Sequence, residues 1–183
     1  MNYIKNPFED IKILSELEAV NLVETEEEEK WNIVSIWSGG GGKHGNDQPE
    51  HKKAKTLCQH RFHDIETQTK DMILCNKEDI ISILEYAKDH YAEKMIVHCH
   101  GGISRSSAFT FLILLDYYKD ISDNPIGCAL EELVSIKHHT LIFPNKYILS
   151  LGIHVICDTN TDNEIQWNRD LYNHPIFRLL YNF

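Results

Sequence analysis

Cys99 and Arg105, separated by five residues that include Gly101 and Gly102, form the pair whose spacing most constrains its chemistry. An arginine presents two parallel N–H donors that match two oxygens of a phosphate. A thiol beside such a charge and facing a helix N-terminus ionises easily, and the thiolate is the nucleophilic form. Glycines between the two let the backbone turn so that its N–H groups face a common point. Ser106 follows the arginine and could donate a hydroxyl hydrogen bond to the thiolate, while His98 could brace the loop from behind. The chemistry expected is attack of Cys99 on a phosphorus held by the N–H groups of His100, Gly101, Gly102, Ile103, Ser104 and Arg105, with Arg105 clamping its oxygens. His100 could add a charged imidazole near the thiolate or could face solvent.

The flanking stretches suit that task. Met95, Ile96 and Val97 form a short, wholly apolar run, the pattern of a strand buried on both faces. Ser106 to Tyr118 is apolar on nearly every face, which predicts a helix sunk in the core. A strand, a glycine-bearing turn and a helix N-terminus in succession make an anion site.

His98-Cys99, five residues, then Arg105-Ser106 resembles the signature of the cysteine-dependent protein tyrosine and dual-specificity phosphatases. The fuller string His-Cys-His-Gly-Gly-Ile-Ser-Arg-Ser-Ser-Ala resembles a compact, mostly bacterial branch, in which alanine often stands at the position of Gly101. The resemblance spans residues 10–150 and is sharpest over 96–108. It implies hydrolysis of phosphate monoesters through a phosphocysteine intermediate, acting on phosphotyrosine-containing proteins, with no cofactor and no metal. A phosphoinositide or a nucleotide 5′-phosphate is the alternative substrate, and a catalytically weak phosphate-binding module is the alternative function.

Such a reaction needs an acid opposite the nucleophile to protonate the departing oxygen. Asp64, Glu66 and Asp71 follow an expected third strand and are the candidates. His-Asp-Ile at 63–65 resembles the acid-bearing segment of the same branch, which implies Asp64 as general acid and base.

Elsewhere the chain reads as scaffold. A first strand is expected at 11–14, a helix capped by Ser15 and Glu18, a second strand at 31–37 and a third at 56–63. Asn76 with Asp79 predicts another helix start, with Ile80, Ile83, Leu84, Ala87 and Tyr91 on one face. Asn124-Pro125 opens a helix reaching His138, with Ile126, Leu130, Leu133 and Val134 as its stripe. Asn145 caps the helix 146–156, and Thr161 with Glu164 forms a further capping signal. The apolar tail 151–183, with Trp167, Leu171, Tyr172, Ile176, Phe177, Leu179, Leu180, Tyr181 and Phe183, is expected to dock as helices on a single domain spanning 1–183. The fold class is α/β, a central and largely parallel sheet with helices on both faces.

Glycines 39–42 do not make a nucleotide loop, since His44 follows Lys43 and residue 37 is a tryptophan. Lysines 43, 52, 53 and 55 are instead expected at the sheet edge that holds the anion site, where they would collect an anionic substrate. The histidine pairs 60/63, 98/100 and 138/139 lack zinc-site spacing. A net charge of −10 disfavours nucleic-acid binding. No apolar run is long enough to span a membrane, and five scattered cysteines suit a reducing, cytoplasmic setting. The N-terminal residues lack the apolar region of a secretion signal.

Overall fold

The apolar runs of the chain assemble into one sheet. The computed structural model describes residues 6–38, 49–136, 142–158 and 161–181. Its strands β1 (Asp10–Ser15), β2 (Trp31–Trp37), β3 (Thr56–Arg61) and β4 (Lys94–Cys99) are all parallel, in the order β1-β4-β2-β3. Ile13, Val97, Val34 and Cys58 pair across the sheet in one row. β4 and β2 are central and almost wholly buried, which is why they read as continuous apolar segments. The third strand stops at Arg61 rather than His63, although the Phe62 N–H still donates to the Trp37 carbonyl at 3.0 Å.

Helices cover both faces. On one side α1 (Glu16–Thr25) lays Ala19 and Val23 against Trp31, Ile33 and Ile96. Ser15 and Glu18 close its start as a reciprocal capping box, the arrangement their spacing predicts. On the other side lie α2 (Lys77–Asp89), α3 (Arg105–Tyr118), α4 (Pro125–Ile136), α5 (Lys146–Ile156), α6 (Thr161–Asn173) and α7 (Pro175–Tyr181). Asn76 and Asp79 cap α2 as expected, and Ile80, Ile83, Leu84 and Ala87 are its buried stripe. α3 is buried without a break from Arg105 to Leu115 and packs against α2, α4, α5 and β4. A helix surrounded in this way has no polar face to spare, which explains its uniform hydrophobicity.

Three expectations are corrected. Val134 is 39% exposed, and Ala129 takes its place in the α4 stripe. Thr161 is the first residue of α6 rather than its cap, and the Glu164 carboxylate accepts from His154 Nδ1 at 2.8 Å. In the tail Leu171 and Phe177 are buried in the main core, whereas Tyr172 and Leu179 face solvent. The glycines 39–42, Lys43, His138, His139 and Phe183 lie outside the described residues. Among the described residues no helix is long and apolar enough to cross a membrane.

Parallel strands bring all four C-terminal ends to one edge. Ser15, Ser38, Phe62 and the turn after Cys99 therefore meet there, although the sequence scatters them over 85 positions.

Candidate active site

The turn from β4 into α3 is shaped by one glycine. Gly102 has φ +66°, in the region that side chains other than hydrogen rarely occupy. A Cβ there would stand 2.5 Å from Ser15 N and 2.6 Å from Leu14 C, so the loop also touches the β1–α1 junction. Gly101 has no such requirement: a Cβ would meet only Ile103 Cδ1, at 3.9 Å. An alanine at 101, the residue that often stands there in the branch this turn resembles, therefore fits this backbone. The Glu16 N–H donates to the His100 carbonyl at 3.3 Å, Phe143 N–H to the Ile103 carbonyl at 3.1 Å, and Asn145 N–H to the Ser104 carbonyl at 3.3 Å.

Within this turn Cys99 is 2% exposed and Arg105 4%. Ser106 Oγ lies 3.3 Å from Cys99 Sγ. Burial opposes ionisation of Cys99, yet the Ser106 hydroxyl, the Arg105 charge and the backbone N–H groups of Ser106 and Ile103 outweigh it. The thiol is held below the ordinary cysteine range. Cys75, equally buried but without these partners, is pushed upward by desolvation. Low solvent access alone therefore does not explain the behaviour of Cys99. Arg105 Nη1 donates to Ser38 Oγ and to the Phe62 carbonyl, each at 2.8 Å. Its Nε is buried with no protein acceptor among the described residues.

Asp64 lies against this turn. Its Oδ1 accepts from Ser104 Oγ at 2.7 Å and from Asn145 Nδ2 at 2.9 Å. The segment carrying it is clasped at its base, where His63 N–H donates to the Ile73 carbonyl and Ile73 N–H to His63 Nδ1, both at 2.8 Å. Glu66 Oε1 accepts from the Lys146 N–H at 3.3 Å. Asp71 sits in the same loop at φ +64°, exposed, with no hydrogen bond to the turn among the described residues. Of the three candidate acids, Asp64 alone makes a side-chain hydrogen bond to residues 99–106 among the described residues. The sequence did not signal the side chains of Ser104 and Asn145 as its partners.

His98, the expected brace, is fully buried at the end of β4, and its Nδ1 has no hydrogen-bond partner among the described residues. The partner it uses, His51, was not anticipated: the two Nε2 atoms are 2.8 Å apart, so one ring donates to the other. Burial, then the His51 ring and Arg105, push His98 down to about 3, so it is neutral. His100 points the other way: its side chain is 84% exposed, with Nδ1 3.8 Å from Glu16 Oε2. His60 bonds Asp79 and Ser82. Among the described residues no three His, Cys, Asp or Glu side chains gather so as to hold a metal ion.

The lysine expectation is overturned. Lys53 Nζ donates to the carbonyls of Glu24 and Glu26 at the C-terminal end of α1, and Lys55 Nζ pairs with Glu93 at 2.8 Å just before β4. Both lie at the N-terminal edge of the sheet, opposite Cys99. Lys53 and Lys55 immediately precede β3, whose parallel pairing with β2 starts it at this edge, and Ala54 between them packs on the α1 face; this reverses the position inferred from charge alone. Lys52 pairs with Glu50 in solvent.

No protein-family model matches the sequence, and no curated protein matches it by sequence. Solved structures do match the fold. The phosphatase domain of Yvh1 from Chaetomium thermophilum superposes with a TM-score of 0.53 at 15% identity, covering 91% of this chain and 94% of that one. PTPMT1, in its complex with PI(5)P, superposes with a TM-score of 0.53 at 12% identity, covering 87% and 93%.

Proposed function

We propose that this chain, which has the fold of the cysteine-dependent protein tyrosine and dual-specificity phosphatases, is itself a phosphate monoester hydrolase acting on phosphotyrosine-containing proteins. The observation that carries the reading is the ionisation-prone Cys99 in one turn with Arg105, to which Asp64 is tied through Ser104. The buried Arg105 Nε supports it further, since an unpaired buried donor is costly and a phosphate oxygen would satisfy it.

The reaction runs in two displacements. The phosphoryl group is held by the backbone N–H groups of residues 100–105 and by Arg105, which neutralise the equatorial oxygens as charge shifts. The Cys99 thiolate attacks phosphorus in line. The S–P bond forms, the P–O bond to the leaving group breaks, and Asp64 gives its proton to the departing oxygen. Water then attacks the phosphocysteine and gives a proton to Asp64. The S–P bond breaks, and inorganic phosphate leaves with the thiolate restored. Ser106 stabilises that thiolate as it departs. The chain's own groups suffice, so no cofactor is required.

A phosphoinositide is the second reading, prompted by the bound lipid of the PTPMT1 complex. The net charge of −10 weighs against it, because an anionic membrane surface would repel the protein at long range.

Hydrolysis of p-nitrophenyl phosphate by the wild type and by Cys99→Ser and Asp64→Asn tests the proposal. The wild type is expected to turn over. Cys99→Ser should lose turnover, and Asp64→Asn should lose most on substrates with poor leaving groups. Vanadate-sensitive binding without turnover would instead make the chain a phosphate-binding module. Dephosphorylation of a phosphoinositide vesicle in preference to a phosphotyrosine peptide would move the substrate assignment.

A further inference from the structure

We propose that Asn145 is a positioning residue for proton transfer: its side-chain amide fixes which oxygen of Asp64 carries the proton and how far that oxygen stands from the phosphate loop. The inference rests on the phosphatase reading and extends it to a residue outside the signature turn.

Asn145 is 4% exposed, and its amide makes contacts in two directions. Oδ1 accepts from the Ile148 N–H at 3.0 Å, which caps α5. Nδ2 donates to Asp64 Oδ1 at 2.9 Å and to the Ile65 carbonyl at 3.4 Å. The assignment of O and N is fixed by chemistry. Reversing the amide would set a carbonyl oxygen against a carboxylate and a carbonyl, and an NH₂ against a peptide N–H. The backbone N–H of the same residue donates to the Ser104 carbonyl at 3.3 Å, and Ser104 Oγ donates to the same Asp64 oxygen at 2.7 Å. One residue thus joins the phosphate loop, the acid-bearing segment and the start of α5.

A cap needs only the oxygen of this side chain. The nitrogen serves Asp64 and its neighbour, a task that helix capping does not account for. The Asn145 amide can only donate, and with the Ser104 hydroxyl donating beside it Oδ1 is the poorer site for a proton, which places the proton on Oδ2. In the first displacement the Oδ2 proton passes to the leaving oxygen as the P–O bond breaks; in the second, Oδ2 takes the proton from water. The turn bearing Asn145 is itself buttressed. Tyr181 OH donates to the Pro144 carbonyl, and Lys146 Nζ lies 4.5 Å from the centre of the Tyr181 ring.

Serine and aspartate both cap helices, so Asn145→Ser and Asn145→Asp keep the α5 acceptor while removing the donor to Asp64. Aryl and alkyl phosphates of graded leaving group are the probe. On alkyl phosphates kcat is expected to fall on the order of tenfold or more, with little change for p-nitrophenyl phosphate and in KM. Iodoacetate should alkylate Cys99 at the wild-type rate, since the turn stays intact. In an Asp64→Asn background the same substitutions should have no further effect, because the positioned group is gone. A uniform loss across leaving groups, an additive loss in the Asp64→Asn background, or unfolding of both variants would overturn the proposal and leave Asn145 a structural cap. Absence of turnover by the wild type would remove the phosphatase reading itself, an outcome distinct from these.

Discussion

Replacing Gly102 with alanine should damage the site out of proportion to the single methyl group added. At φ +66° an L residue is disfavoured by roughly 1–2 kcal/mol. The new carbon would also stand 2.5 Å from Ser15 N, 2.6 Å from Leu14 C and 2.8 Å from Leu14 O. Carbon contacts settle at about 3.5–4.0 Å, so the turn and the β1–α1 junction must part by roughly 1 Å. All three atoms met are backbone, so no side chain can rotate away. Overpacking of this kind costs roughly 1–3 kcal/mol, giving about 2–5 kcal/mol in all. A displacement of roughly 1 Å in a positioning loop costs on the order of 100-fold in rate. The assays are kcat/KM on p-nitrophenyl phosphate and the urea midpoint, with Gly101→Ala as control. That control places its methyl 3.9 Å from Ile103 Cδ1 and should leave both values unchanged. Wild-type behaviour from Gly102→Ala, or equal damage from Gly101→Ala, would refute the reasoning.

Two further outcomes follow from the same geometry. Ser106→Ala removes the hydroxyl 3.3 Å from Cys99 Sγ; iodoacetate alkylation near neutral pH should slow roughly tenfold and a burst of leaving group should appear, the loss expected for one hydrogen bond to a charged atom. His98, pushed down to about 3, stays neutral in the fold while the unfolded chain takes up a proton below about 6.5. The unfolded state then binds more protons, so this group's contribution to stability is lost as pH falls from about 6.5 towards 3, at up to about 1.4 kcal/mol per pH unit. An NMR titration checks it: a His98 imidazole that charges near pH 6 would contradict the buried pairing with His51.

Local patterns in the sequence carried most of the scaffold. The boxes at Ser15/Glu18 and Asn76/Asp79 formed because each closes within one turn of helix, and Asp79 does so with one oxygen while the other meets His60. The apolar strand before Cys99 and the buried helix after Arg105 were legible for a similar reason, since burial on all sides leaves an uninterrupted hydrophobic record. What failed depended on the path of the chain through space. Lys53 and Lys55 were placed by charge, but they directly precede β3, which starts at the far edge because it runs parallel to β2. Glu164 had the spacing of a cap partner and bonds His154 on the preceding helix. Asn145 was readable as a cap through Ile148, three residues away, whereas its bond to Asp64 spans 81 residues and leaves no trace in local spacing. The pairing of His51 with His98, 47 residues apart, was hidden in the same way.

The contact of Tyr181 with the Pro144 carbonyl places the end of α7 directly behind the turn whose Asn145 bonds Asp64. If the proposed function holds, an affinity tag fused after this helix, or a protease trimming it, is expected to change turnover before it changes folding. Preparations that differ only in their C-terminal fusion should therefore not be pooled when rates are compared.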